Sequence, residues 1–243
     1  MSKKSLIISI AFLFLLAKAY CGVEIAGGFN YFDASLDGKV KSEGIKINVK
    51  DDLGLKDDNV EGGFLKIGLG KHHFLFNFSD FEFKGANTLS RQITFRNKVY
   101  AINTYVESKL EYSLYEFLYY YDLLKLCAVK ISPLFKVSLY DAKINIKGGG
   151  NDESYSESLP LPTIGLRAQA DFKYLALFSQ VNGIGYSDAS YIEYIGGVIL
   201  KPLKYLRATL AYKGTNVDYE DDEDLIDIDV DGFFAQVGIC YKF

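Results

Sequence analysis

Apolar residues recur at every second position along almost the whole chain, and after residue 20 no apolar run approaches the length of a membrane-spanning helix. A period of two puts alternate side chains on opposite faces of an extended strand, so the chain reads as a succession of strands. Val23, Ile25, Phe29 and Tyr31 share one face, opposite Glu24, Ala26, Gly28 and Asn30. Leu65, Ile67 and Leu69 oppose Phe64, Lys66 and Gly68, and Phe74, Phe76 and Phe78 oppose Leu75, Asn77 and Ser79. Val106, Leu110, Tyr112 and Leu114 stand against Glu107, Lys109, Glu111 and Ser113. Val129, Ile131, Phe135, Val137 and Leu139 stand against Lys130, Ser132, Lys136 and Ser138. The second half repeats the pattern: Ile164, Leu166, Ala168 and Ala170 oppose Thr163, Arg167, Gln169 and Asp171, Ile192, Tyr194, Val198 and Leu200 oppose Glu193, and Leu206, Ala208, Leu210 and Tyr212 oppose Arg207, Thr209 and Lys213. Only Lys173 to Ser187 declares no face.

A soluble sandwich also alternates, so further features decide between sandwich and membrane barrel. Short connections at Gly70-Lys71-His72, Phe172-Lys173 and Lys201 to Lys204 interleave with longer polar ones at Lys84 to Thr104, Gly148 to Ser158 and Glu220 to Leu225. Short turns on one side and long loops on the other belong to transmembrane barrels. Tyr and Phe gather towards the ends of the apolar rows, as an interfacial girdle requires. The chain closes with Phe233, Ala235, Val237, Ile239, Tyr241 and Phe243 on one face, a pattern similar to the C-terminal strand signal of outer-membrane proteins. Lipid offers no partner to an exposed sheet edge, so the strands must close on themselves. The expected fold is therefore all-β, an antiparallel up-and-down transmembrane barrel of about ten strands, with eight or twelve as alternatives. The alternatives stay open because Asp33 to Asn59 reads as one long outer loop whose piece Gly44 to Val49 also alternates.

The start of the chain sets the compartment. Lys3 and Lys4 precede the apolar run Leu6 to Leu16, and Ala17-Lys18-Ala19 offers a cleavage site, so residues 1–19 read as a cleaved secretory signal peptide and residues 20–243 as the barrel. Of the 27 Lys and Arg, three lie in that leader, leaving 24 against 31 acids and a formal charge of −7. Nucleic acid is not an expected partner. Outer-membrane lipid, lipopolysaccharide and the insertion machinery are. The chain has 3 Cys, too few for a disulfide framework. The oxidising periplasm favours a bridge between Cys21 and Cys240, which closure brings together, but Cys21 shares the outward row and Cys240 the inward one, so three free thiols are expected.

The inward row is charged with both signs: Glu24, Lys66, Glu107, Lys109, Glu111, Lys130, Lys136, Arg167, Asp171, Glu193, Arg207 and Lys213. In a bore this narrow, side chains largely fill the space and opposite charges pair. The expectation is a plugged barrel with a structural, adhesive or envelope role; the alternative is a narrow pore for ions or small solutes. No enzyme is expected. The chain has 2 His, His72 and His73, both at a short turn, and a His-dependent hydrolase needs one at its site. No metal or other cofactor is expected: the two His lack an adjacent third ligand. The acids Asp51, Asp52, Asp57, Asp58 and Asp218 to Asp224 read as solvated loops without calcium-loop spacing.

The segments Asp51-Asp52-Leu53-Gly54-Leu55, Gly68 to Phe74 running into Asp80 to Gly85, Ile93-Thr94-Phe95 with Tyr100, and Val106 to Leu110 carry a resemblance to uncharacterised small outer-membrane β-barrel proteins of Gram-negative bacteria. The likeness covers most of the chain beyond the leader and implies fold and location, with no activity attached. Many Lys where that group would carry Arg, and the Cys residues, depart from it.

Overall fold

The computed structural model describes residues 22–42, 45–95, 98–220 and 225–243. The leader, Cys21, Gly44 and the acids 221–224 lie outside the described residues. The elements are β1 (Val23–Ser42), β2 (Ile45–Asn48), β3 (Asp58–Leu69), β4 (His72–Thr88), β5 (Ile93–Phe95), β6 (Lys98–Tyr100), β7 (Tyr105–Tyr121), β8 (Leu124–Leu126), β9 (Val129–Gly148), β10 (Asn151–Asp171), β11 (Leu175–Tyr186), β12 (Ala189–Leu200), β13 (Leu206–Glu220) and β14 (Leu225–Lys242). Strands β1, β3, β4, β7 and β9 to β14 pair antiparallel with their neighbours in chain order, and β14 returns to β1, from Glu24 opposite Lys242 to Lys41 opposite Leu225. The result is a closed 10-strand barrel. The alternating segment within Asp33 to Asn59 contributes β2, which folds back on β1 from Lys39 to Ser42 and leaves the strand count unchanged.

The strands are longer than a membrane needs. β1 has 20 residues, β9 has 20 and β10 has 21, where a tilted spanning strand takes about 9–11. A switch of parity along single strands shows where the extra length goes. On β9 the odd positions Val129 to Leu139 face outwards and are apolar; beyond them Asp141, Lys143 and Lys147 face outwards while Tyr140, Ile144 and Ile146 point in. On β4, Phe74, Phe76 and Phe78 give way to buried Phe81 and Phe83, and on β1 exposed Phe29 and Tyr31 give way to buried Phe32, Ala34 and Leu36. The backbone phase is continuous, and the solvent changes. Below the switch the outside is lipid and the inside polar; above it the outside is water and the inside is an apolar core. Exposed Tyr31, Tyr115, Tyr194 and Tyr212 sit at the switch, and Tyr174, Tyr205 and Tyr241 at the opposite rim, in the two aromatic girdles of a transmembrane barrel.

The core lies in the upper, extramembrane half. Phe32, Leu36, Val60, Phe83, Val106 and Ile146 project inwards from the wall and meet Ile47, Val49, Leu53, Leu55, Leu89 and Ile93 from the connections, all buried. The β1–β3 connection, predicted to be a loop, is a folded cap: Leu55 bridges to Gly85, and Tyr100 of the β5–β6 hairpin donates its hydroxyl to the Ile146 carbonyl at 3.0 Å. Residues Gly148 to Ser158, also expected as a loop, are strand apart from a tight Gly149-Gly150 turn, whose φ values of 58° and 85° suit a two-residue hairpin. Above Ile164, β10 pairs with β9 alone, while β9 stays paired with β7 as far as Gly148 opposite Val106, so this hairpin continues the wall above the shorter β11–β12 hairpin.

Candidate functional site

Inside the membrane-spanning half the bore is polar and divides into two adjoining cavities. Alternation aims every second residue of each strand at the axis, so the lumen inherits the polar rows read from the sequence. The inner one, about 150 Å³, is lined by Asn77, Glu116, Lys136, Glu193 and Lys213 among others. Lys136 Nζ lies 2.8 Å from Glu116 Oε1 and 2.7 Å from Glu193 Oε2, and Lys213 Nζ stands 3.7 and 3.5 Å from the same two oxygens. The Lys136, Glu116 and Glu193 side chains are only 3%, 8% and 4% exposed. Asn77 donates to Glu116, and the Tyr191 hydroxyl to Glu193. Two cations and two carboxylates thus neutralise each other across four strands, directly beneath the apolar core.

The second cavity, about 180 Å³, lies at the end of the bore where β1 begins and β14 ends. Glu24 accepts from Lys66 at 2.8 Å and pairs with Lys242 at 2.9 Å. Asp171 pairs with Lys201 at 2.8 Å and Lys130 at 3.1 Å, and Asp122 pairs with Lys130 and with His73 Nε2 at 3.6 and 3.2 Å. Arg167 lines both cavities; it donates to Gln180 and Gln169 and lies over the Phe178 and Tyr120 rings, 4.6 and 5.4 Å from their centroids. Phe64 narrows the passage beside it, its ring over Gly238, where a Cβ would come within 2.6 Å of the ring edge. Arg207 donates to the Leu203, Lys204 and Leu206 carbonyls and fixes the β12–β13 turn.

Of the residues predicted to face the lumen, Glu24, Lys66, Lys130, Lys136, Arg167, Asp171, Glu193, Arg207 and Lys213 line these cavities. Glu107, Lys109 and Glu111 do not. They belong to the extramembrane part of β7, where Val106, Ser108, Leu110 and Tyr112 turn inwards and the charged row faces water. Lys109 pairs there with Glu111 at 2.6 Å and with Glu82 of β4 at 3.4 Å. The prediction extended a membrane rule beyond the membrane. For the same reason it missed Glu116: in the lower part of β7 the outward row is Tyr115, Phe117, Tyr119 and Tyr121. Asp122, Lys201 and Lys242 sit at strand ends, where alternation gives little signal. The two His separate, His72 outwards against Tyr119 and Tyr121, His73 inwards stacked on Tyr120. The terminal row Phe233, Val237, Ile239, Tyr241 and Phe243 is exposed on the outer face. Cys240 is buried against the second cavity and Cys127 is exposed at the β8–β9 turn, both as free thiols; the partner predicted to miss Cys240, Cys21, lies outside the described residues.

The acids above the membrane bind the cap within itself and to the wall. Asp52 accepts from the Asn48 backbone N–H at 2.8 Å and pairs with Arg91, whose pKa the pairing raises. Asp57 pairs with Lys50 at 3.2 Å and accepts from the Leu36 N–H; burial pushes its pKa up, but the bonds from Ser35, Lys50 and Leu36 outweigh this and hold it below the ordinary carboxylate value. Asp58 accepts from the Glu82 N–H at 2.9 Å.

No family model matches the chain, and no curated protein matches it in sequence. Its structural neighbours are outer-membrane β-barrels of Gram-negative bacteria. The outer membrane protease OmpT from Escherichia coli is similar with a TM-score of 0.57 at 10% identity, over 90% of this chain and 97% of that one. Neisserial surface protein A aligns over 88% of this chain and 97% of its own at 12% identity and a TM-score of 0.35. The transport unit of the autotransporter AIDA-I from Escherichia coli aligns over 91% and 90% at 12% identity and 0.44. The likeness to OmpT is one of fold.

Proposed function

We propose that the protein is an outer-membrane barrel that does not conduct: a membrane anchor carrying a rigid, apolar-cored turret on the cell surface, with a structural, adhesive or envelope-maintaining role. The observation that carries this reading is the stack of two blocks along one bore. The apolar core fills the turret, and the Lys136 cluster crosses the lumen beneath it. Moving an ion through would require wetting a packed apolar core and disrupting buried ion pairs, each of which opposes passage. The turret's outer surface is charged and the β9–β10 hairpin extends its wall above the shorter β11–β12 hairpin, which suits contact with surface sugars or a neighbouring cell better than transport.

The alternative, a narrow pore, draws on the two cavities, which give water a path from the periplasmic rim to the middle of the bore. Conductance in planar bilayers separates the readings. For surface display, an epitope inserted between Gly149 and Gly150 should stain intact cells; staining only after permeabilisation would reverse the orientation and end the turret reading.

A further inference from the structure

We propose that the periplasm-facing cavity is a blind, cationic vestibule that binds a small phosphate anion. Six cationic side chains line it: Lys66, Lys130, Arg167, Lys201, Arg207 and Lys242. Three carboxylates face them, Glu24, Asp122 and Asp171, so with His73 neutral the vestibule carries an excess of three positive charges. The Lys136 cluster, two Lys against two Glu, is balanced; Lys66 and Arg167 line both cavities, and the further cations Lys130, Lys201, Arg207 and Lys242 belong to the outer one alone. An uncompensated charge surrounded by a protein wall and lipid is costly, and the excess draws anions from the periplasm.

The donors are placed for such a guest. Arg167 and Arg207 have no carboxylate within 4.0 Å among the described residues. Arg167 stands at the inner end of the vestibule, its guanidinium fixed by Gln169, Gln180 and the Phe178 ring, while its Nε is buried without a hydrogen-bond partner, so Arg167 acts on a guest through its charge. Lys66, Lys130 and Lys201 each retain N–H donors beyond their carboxylate bonds, since an ammonium has three. A planar guanidinium flanked by ammonium groups suits a tetrahedral oxyanion. The volume of about 180 Å³ holds several waters or one small anion, and the Lys136 cluster and apolar core close the far end. A phosphate dianion offsets two of the three excess charges. The inference is independent of whether the turret seals completely, because it rests on the cavity's charge and not on conduction.

Inorganic phosphate is the probe, titrated into the folded barrel in uncharged detergent and chloride buffer, with ³¹P line broadening and calorimetry as readouts. Saturable one-to-one binding that weakens with added salt is expected. Arg167→Gln should weaken it about tenfold or more, the loss of its positive charge. Lys201→Gln, at the mouth and less committed to the fold, should weaken it a few-fold, while Glu82→Gln on the turret surface leaves it unchanged. Heat-modifiable gel mobility confirms that each variant is folded. Absence of saturable binding, or binding indifferent to both Arg167→Gln and Lys201→Gln, overturns the proposal. So does binding of short-chain phosphatidic acid without inorganic phosphate, which would assign the cations to a lipid headgroup.

Discussion

Replacing Lys136 by methionine keeps the length of the side chain and removes the charge that holds two buried carboxylates together. Glu116 and Glu193 would each lose a contact of 2.8 or 2.7 Å and keep, beside the neutral donors Asn77 and Tyr191, Lys213 as their one paired cation, at 3.7 and 3.5 Å, beyond good hydrogen-bond length. Breaking a buried ion pair from one side costs about 3–5 kcal/mol, because the charge left behind has been desolvated without compensation. Lys213→Met removes the two longer contacts and leaves the short pair intact, so its cost should be clearly smaller, about 1–2 kcal/mol. The double variant Lys136→Met, Glu116→Gln leaves one cation, Lys213, beside one carboxylate, Glu193, and should recover much of the loss. Urea titration of the protein in vesicles, read by gel mobility without boiling, gives the midpoints; with a slope of about 1–3 kcal/mol per molar, the Lys136→Met shift amounts to a molar or more. Equal midpoints for Lys136→Met and Lys213→Met, or a double variant as unstable as Lys136→Met alone, would refute the view that these four groups form one buried, mutually neutralised cluster.

Other consequences follow from the same geometry. Leu210→Arg places a charge on the lipid face, where Leu210 is 57% exposed, and should cost about 2–4 kcal/mol in the same titration, whereas Lys109→Leu on the turret surface should change it little. Tyr100→Phe leaves the Ile146 carbonyl without its donor and should loosen the cap by about 1–3 kcal/mol, seen as faster proteolytic nicking of the 89–104 connection with gel mobility unchanged. Because the Asp57 carboxyl is held below its ordinary value of 3.8, its tie between cap and wall is complete above that pH and lost as the pH falls through the lower folded-state value. Amide exchange in the cap should therefore stay slow down to about pH 4 and quicken below it, and Asp57→Asn should remove that step. In the folded barrel, Cys127 should react with a maleimide at once and Cys240 only after unfolding.

The membrane half of the fold was legible because lipid imposes one rule on every strand that crosses it. Phe29, Leu65, Phe76, Ile131, Leu166 and Leu210 could each be assigned an outward direction from alternation alone, and the terminal row Phe233 to Phe243 followed the same logic. Strand β11 declared no face because small or polar residues interrupt its outward row, Leu177, Ser179, Val181 and Gly183. The turret was not legible. Its strands keep the phase of the membrane segments while the solvent on each side reverses, so a reading that assumes apolar means outward inverts Val106 to Ser113. The signal was present as a change of parity within one strand, from Leu110, Tyr112 and Leu114 to Tyr115, Phe117 and Tyr119. The site divides in the same way. Lys136, Glu193 and Lys213 stood out as charges in apolar frames, but that Glu116 joins them depends on the register of β7 between β4 and β9, with Glu116 opposite Asn77 on one side and Ser138 on the other.

Single-channel recording in planar bilayers bears most directly on the central claim of a closed bore. With the intact protein inserted, verified by its heat-modifiable mobility after recovery, the membrane should stay silent at either polarity. A variant with small residues in place of the inward-pointing Phe32, Phe81 and Phe83 and with Lys136→Met should instead show discrete steps. Reproducible conductance steps from the unmodified protein would contradict the account and establish the narrow pore.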